Sequence, residues 1–255
     1  MNIGVLIAVT GGVLGMLCST LTLVIIYRMN RWNTYTKLIV ALTSSQLLYD
    51  LSVAMIAFSG RNNEFAYIAL RSMSGLWAAF ITNILSFVVI WTVLTLQPAN
   101  ISSNLVLILS IIYVPSALYG VLVPYAMYNL SEEQFDIVSY IYFWARAVSI
   151  LFNVTSYVVL VYRLYYLQHT AHLGSVLVNP LMALVRRFKY YPIVQVLARL
   201  GVAWYEYTYG HDYEYYAYFT LSKSIALFIY VITLPSAGVG YFFVFVMVCP
   251  GRFAG

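Results

Sequence analysis

Six ionisable side chains lie inside stretches of sequence that are otherwise almost free of charge. They are Asp50, Arg71, Arg146, Arg199, Glu206 and Lys223. Burying a charge in a membrane-spanning segment costs at least a few kcal/mol, so such residues commonly mark ligand, ion or proton sites. Guanidinium and ammonium groups bind carboxylates and phosphates, and the four cations therefore predict a site for an anionic small ligand.

The four cations fall at a similar depth in the segments that carry them. At 1.5 Å per helical residue, they lie in a layer roughly 10–15 Å below one surface. They come from the third, fifth, sixth and seventh predicted helices, which can enclose one cavity. We predict that Arg71, Arg146, Arg199, Glu206 and Lys223 bind the ligand. Alternatively, the cations pair with an intramembrane carboxylate or extend along their helices to the interface.

Asp50 differs from the cations, because it lies near the middle of its predicted helix with no cation at the same depth on that helix. We predict that it acts as an intramembrane switch or ion site. Such a carboxyl group can bind a sodium ion or a proton, or accept hydrogen bonds from a neighbouring helix. Asn83, Ser86 and Lys223 are its candidate partners.

The composition places these residues in a membrane protein. Of 255 residues, 63% are hydrophobic and 8% are charged, whereas soluble domains carry about 25% charged residues. This composition excludes secreted enzymes, nucleic-acid-binding proteins and disordered chains. We therefore predict an all-α integral membrane protein in contact with the lipid bilayer.

Seven segments are long and apolar enough to cross a bilayer, which requires about 20 residues. We predict one seven-transmembrane domain over residues 1–255, with spans Ile3–Tyr27, Leu38–Ser59, Phe65–Leu96, Leu105–Tyr128, Ile137–Tyr162, Pro180–Tyr209 and Tyr215–Val248. Pro115 and Pro124 predict kinks in the fourth span. Pro192 and Pro235 predict hinges in the sixth and seventh.

The predicted loops differ in charge between the two sides of the membrane. One side carries basic residues and no acids: Arg28, Arg31, Lys37, Arg163, Arg186, Arg187, Lys189 and Arg252. The other carries one base and six acids: Arg61, Glu64, Glu132, Glu133, Asp136, Asp212 and Glu214. Because basic loops remain in the cytoplasm, we predict an external N-terminus and a cytoplasmic C-terminus. We expect the plasma membrane as its location.

We expect no enzymatic activity, no metal and no cofactor. Cys18 and Cys249 lie near opposite ends of the chain without metal-ligand spacing. The sequence contains no nucleophile-elbow or metal-binding helix motif. Lys223 could in principle form a Schiff base with retinal, but the third predicted span offers no carboxylate counter-ion within the membrane.

Three segments carry a family resemblance. Leu184–Ile193 places the basic cluster Arg186, Arg187 and Lys189 before Tyr191-Pro192; Leu38–Leu51 ends in Tyr-Asp-Leu; Leu234–Tyr241 contains Pro235 and two glycines. With the seven-helix layout, these segments resemble G protein-coupled receptors of the slime-mould cyclic-AMP-receptor family and its fungal, plant and protist relatives.

The resemblance implies a receptor that binds a ligand outside and signals to a heterotrimeric G protein inside. Arg186, Arg187 and Lys189 would face the G protein, in a cleft that opens when the sixth helix moves about Pro192. The third span departs from the largest receptor class, because it lacks the Asp/Glu-Arg-Tyr triplet. An anion transporter or channel, a structural subunit of a membrane complex and a receptor-like protein that no longer signals are the alternatives.

Overall fold

The computed structural model describes residues 3–29, 32–55, 64–95, 97, 101–170, 190–209, 229, 233 and 237–247. Seven α-helices and one short 3₁₀ turn account for nearly all of this part of the chain, which contains no β-strand. The helices are α1 (Ile3–Met29), α2 (Thr34–Met55), α3 (Glu64–Thr95), α4 (Leu105–Asn129), α5 (Glu132–Thr170), α6 (Tyr190–Tyr209) and α7 (Ala237–Met247).

Five of these helices, α1 to α5, are long and apolar enough to cross a membrane. Their outer faces carry large apolar side chains: on α4, Val106 is 80% exposed, Ile111 63% and Leu118 69%. Soluble proteins rarely expose continuous apolar surfaces of this kind, whereas lipid solvates them. The all-α, multi-pass membrane architecture predicted from composition is therefore supported. The count of seven spans stays a prediction.

The bundle is organised around α3, which contacts α2, α4, α5 and α6. Its buried residues Ile81, Leu85 and Val88 lie in the main apolar core, together with side chains of α2 and α7 such as Leu42 and Tyr241. In contrast, α4 packs on the outside of α3 and is largely exposed. The residues with functional chemistry are therefore expected on the faces that converge on α3.

Glycine allows the closest approach of α4 to α3. A Cβ atom added to Gly120 would lie 2.6 Å from Met73 Cβ and 2.9 Å from the Ala69 carbonyl oxygen. Both distances are shorter than a van der Waals contact, so any side chain at this position would push the two helices apart. The absence of a side chain at Gly120 thus sets the spacing between α3 and α4.

The structure corrects the predicted start of the second helix. α2 begins at Thr34, about one turn before the predicted Leu38, because Asn33 caps it. Asn33 Oδ1 accepts a hydrogen bond of 2.8 Å from the backbone N–H of Thr36, which satisfies one of the unpaired donors of the first turn. The predicted end at Ser59 lies outside the described residues.

The predicted bounds of the fifth helix, Ile137 and Tyr162, are also wrong, because α5 continues from Glu132 to Thr170. The backbone N–H of Ser131 donates to Gln134 Oε1 at 3.3 Å, as in a capping box. The apolar run shows which residues suit the hydrocarbon, but a helix can continue beyond them into the interface. The other described ends of α1, α3 and α4 lie within two residues of prediction.

The structure describes some, but not all, of the prolines at which kinks or hinges are predicted. Pro115 and Pro124 lie inside α4, which continues as one helix through both; membrane helices tolerate proline where neighbouring groups satisfy the freed backbone atoms. Pro192 lies in the first turn of the described α6. The hinge at Pro235 and the predicted helical residues 180–189 lie outside the described residues.

We expect Gly120→Ala to lower the stability of the bundle by about 1–3 kcal/mol, the usual cost of overpacking. Val121→Ile is the matched control, because Val121 is 52% exposed on the same helix and the change also adds one carbon. Thermal unfolding of the purified protein in detergent measures both variants. An equal effect of the two would contradict the close approach of α3 and α4.

Candidate ligand-binding site

Three of the predicted ligand-binding cations meet at one tyrosine of α2. The guanidinium carbon of Arg199, on α6, lies 4.2 Å from the centre of the Tyr49 ring. Arg71 of α3 and Arg146 of α5 lie, like Arg199, within electrostatic range of the Tyr49 hydroxyl. The structure therefore brings together cations from three helices that lie far apart in sequence. Their role in ligand binding stays a prediction.

All three arginines are buried, with exposed fractions of 8% for Arg71 and 2% each for Arg146 and Arg199. Arg199 Nε and Nη2 have no hydrogen-bond partner among the described residues. A guanidinium has five N–H donors in a fixed plane, and the Tyr49 ring contributes only a cation–π contact. Arg199 thus retains N–H groups that can donate hydrogen bonds to an anion.

Aromatic rings hold Arg146 in place next to this cluster. Its guanidinium carbon lies 4.0 Å from the centre of the Tyr142 ring, and Tyr142 stacks on Tyr119 at a centroid distance of 5.8 Å. The Tyr119 hydroxyl donates to the Val138 carbonyl oxygen. These contacts link α4 and α5 and fix the ring on which Arg146 rests.

Gly75 of α3 allows both tyrosines to approach the centre of the bundle. A Cβ atom at this position would lie 2.9 Å from Tyr142 Oη and 3.4 Å from Tyr49 Cε2. A larger residue would therefore separate the ring under Arg146 from the ring under Arg199. The cationic cluster thus depends on a residue that carries no charge and no side chain.

Asp50 lies beside the cluster, completely buried between α1, α2 and α7. Gln46 Nε2 donates to Asp50 Oδ1 at 2.8 Å, whereas Oδ2 has no hydrogen-bond partner among the described residues. A Cβ atom added to Gly15 would lie 2.6 Å from Oδ2, and one added to Gly238 would also collide with it. Arg199 acts electrostatically on the carboxyl group.

Two of the three predicted partners of Asp50 form hydrogen bonds elsewhere. Asn83 and Ser86 of α3 bind α5: Ser86 Oγ donates to Asn153 Oδ1 at 2.6 Å, and Asn83 Oδ1 accepts from Asn153 Nδ2 at 2.7 Å and from Ser149 Oγ at 2.9 Å. The prediction that Asn83 and Ser86 serve Asp50 is therefore wrong. Glycines and Gln46 surround the carboxyl group instead.

Sequence reasoning missed a hydrogen-bonded chain that joins α3, α6 and α7. Tyr241 Oη donates to Gln195 Oε1 at 2.5 Å and lies 3.4 Å from Thr82 Oγ1. Tyr191 stacks on Tyr241 with ring centres 5.7 Å apart. The available signal was the spacing of Gln195 and Arg199, because residues four apart share one face of a helix.

The remaining predicted site residues are not placed. The backbone of Glu206 belongs to α6, but its side chain lies outside the described part of the structure, as do all atoms of Lys223, Arg186, Arg187 and Lys189. Within the described ranges, no three His, Cys, Asp or Glu side chains are grouped closely enough to hold a metal ion.

Comparison with protein-family models gives no match for this chain, and no curated protein matches it. The assignment of function therefore depends on the geometry of the cluster and on the sequence patterns described above.

We expect Tyr49→Leu to destabilise the protein by about 2 kcal/mol more than Tyr49→Phe, because only phenylalanine keeps a ring face for the buried guanidinium of Arg199. Tyr162→Leu, at a residue that is 70% exposed, controls for the loss of a tyrosine in general. Thermal unfolding in detergent compares the three variants. Equal losses for the two substitutions at Tyr49 would show that the cation–π contact does not stabilise the bundle.

Proposed function

We propose that this protein is a seven-transmembrane receptor of the G protein-coupled type that binds a small anionic ligand at the cationic cluster. The observation that carries the proposal is the convergence of Arg71, Arg146 and Arg199 on Tyr49. Buried guanidinium groups are costly, and an anion that accepts their hydrogen bonds would offset part of that cost.

The charges at the helix ends support an orientation with the N-terminus outside. The helices α1 to α5 each contact the next one in sequence, as expected of an up-and-down bundle with short connections. Arg28 in the last turn of α1 and Lys37 in the first turn of α2 then lie at one end, and Glu133 and Asp136 of α5 at the other. The basic end is the proposed cytoplasmic one.

Arg199 provides a route from ligand binding to helix movement. Its guanidinium contacts the ring of Tyr49 and interacts electrostatically with Asp50, both in α2. One turn away on α6, Gln195 accepts a hydrogen bond from Tyr241 of α7. An anion that binds Arg199 Nε and Nη2 competes with these interactions. It therefore favours a different position of α6 relative to α2 and α7, which is how a ligand shifts a conformational equilibrium.

The proposed readout is at the inner end of the sixth helix. Arg186, Arg187 and Lys189 precede α6 in sequence, and Pro192 lies in its first described turn. Movement of α6 would displace this basic segment, which resembles the corresponding segment of cyclic-AMP-receptor-like proteins. A heterotrimeric G protein is the proposed partner.

We expect an anion from a panel of carboxylates and phosphates to raise the melting temperature of the purified protein. Binding to the native state alone contributes about 2.7 kcal/mol at one hundred times Kd. Arg199→Met should abolish the shift, because it removes the donors but keeps an unbranched apolar stem. Arg199→Lys should retain part of it.

Arg163→Met is the matched control, because Arg163 lies on α5, 17 residues from Arg146 and about 25 Å along the helix axis. This variant should show the same ligand-induced shift as the unmodified protein. If no anion shifts any of the proteins, or if Arg163→Met and Arg199→Met lose the shift equally, the cationic cluster is not the binding site.

Signalling is tested separately from binding. We expect the anion that binds to accelerate nucleotide exchange on a heterotrimeric G protein reconstituted with the receptor, and we expect no flux of that anion into proteoliposomes. The opposite pair of results would identify an anion transporter, which buried cations also suit. Binding with neither activity would indicate a receptor-like protein that does not signal.

A further inference from the structure

The carboxyl group of Asp50 is buried with only one of its two oxygen atoms hydrogen-bonded. Gln46 donates to Oδ1 at 2.8 Å, whereas Oδ2 has no partner among the described residues. Arg199 Nε and Nη2 also lack a partner in this part of the chain. Asp50 and Arg199 therefore interact electrostatically, but no hydrogen bond joins these three unpaired atoms.

Other titratable groups lie near Asp50 on α1, α6 and α7, and Tyr49 precedes it on α2. Those on the other helices are Cys18, Arg199 and Tyr241, which are within electrostatic range of the carboxyl group. Arginine stays protonated in proteins, and a neutral thiol or phenol has no site for a further proton near neutral pH. Among the described side chains around the cluster, the carboxylate of Asp50 is therefore the group that can take up a proton.

The backbones of two glycines enclose Asp50 Oδ2. A Cβ atom added to Gly15 of α1 would lie 2.6 Å from Oδ2. A Cβ atom added to Gly238 of α7 would collide with Oδ2 and lie 3.2 Å from the Gly15 carbonyl oxygen. A proton on Oδ2 needs little space, and the Gly15 carbonyl oxygen beside it is a hydrogen-bond acceptor.

An anion bound to Arg199 changes the electrostatic environment of Asp50. In the absence of the anion, the guanidinium attracts the carboxylate. Once an anion accepts hydrogen bonds from Nε and Nη2, two negative groups share one cation and repel each other. Such repulsion is strong where water is excluded, because the effective dielectric constant is low. A proton on Oδ2 removes the repulsion, so the bound anion favours the neutral form of Asp50.

We propose that the cationic cluster binds its anion together with one proton, which Asp50 Oδ2 takes up. The inference rests on the proposed anion site and adds the regulation of that site by pH. The anion accepts hydrogen bonds from Arg199 Nε and Nη2, while a proton from water forms an O–H bond on Asp50. No bond of the ligand breaks. Because coupling between two sites is reciprocal, a lower pH strengthens anion binding, and the anion strengthens proton binding.

Sulfate and acetate are the probes, because neither anion changes its protonation state near neutral pH. The purified protein in detergent and weak buffer is mixed with the choline salt of each anion, and a pH-indicator dye reports proton uptake. We expect up to one proton for each anion bound. Since binding takes up a proton, the affinity for the anion should fall as the pH rises, by up to about tenfold per pH unit.

Asp50→Asn keeps the shape of the side chain and fixes it in a neutral form. This variant should bind the anion without proton uptake and with an affinity that does not depend on pH. Asp136→Asn is the matched control, because Asp136 is exposed on α5, and it should behave like the unmodified protein. Infrared difference spectra of the unmodified protein give a second readout: the anion should add the carbonyl band of a protonated carboxyl group.

Four results would overturn the proposal. Anion binding without proton uptake would refute the coupling and leave the anion site itself intact. Proton uptake that persists in Asp50→Asn would place the proton on another group. An affinity that depends on sodium concentration instead of pH would place a metal ion at Asp50. If neither anion binds at any pH, the proposed anion site is itself wrong, and the coupling fails with it.

Discussion

The arrangement of the bundle depends on the burial of Arg199 among groups that only partly satisfy it. The Tyr49 ring covers one face of the guanidinium, and Asp50 interacts with it from the same helix as Tyr49. Removal of a guanidinium from water is expensive unless its charge and donors find partners. The contacts with Tyr49 and Asp50 offset part of this cost and hold α6 against α2, and Tyr241 hydrogen-bonds the same face of α6 to α7. Any ligand that offers Arg199 better acceptors therefore acts on the contacts between three helices.

The central helix α3 supplies different surfaces to its neighbours along its length. Gly75 leaves space for Tyr49 and Tyr142, the two tyrosines whose rings contact arginines, and Met73 packs against Gly120 of α4. Further along α3, Thr82 lies within hydrogen-bond distance of Tyr241 of α7, and Asn83 accepts a hydrogen bond from Asn153 of α5. Hydrogen bonds between membrane helices contribute modestly, about 0.6 kcal/mol on average. Their larger effect here is on geometry, because the network joins Asn83 and Ser86 of α3 to Ser149 and Asn153 of α5.

Sequence reasoning predicted some features well and others incorrectly, for identifiable reasons. The apolar runs located α1, α3 and α4 closely, since span length is set by the thickness of the hydrocarbon. The starts of α2 and α5 were predicted too late because Asn33 and Ser131 cap the helices outside the apolar runs. Those caps were visible in the sequence. The common depth of the four cations was estimated from helical rise alone, and the three arginines among them meet at Tyr49.

By itself, the sequence determined the helical membrane class, the positions of most long helices and the identity of four buried ionisable residues, Asp50, Arg71, Arg146 and Arg199. Those features follow from local composition and from the cost of charge in hydrocarbon. Only the tertiary structure decided which groups meet across helices: that glycines rather than Asn83 and Ser86 enclose Asp50, and that Tyr49 receives the cations. Such pairings depend on how each helix is rotated about its axis. Packing against several neighbours at once sets that rotation, and no single segment of sequence encodes it.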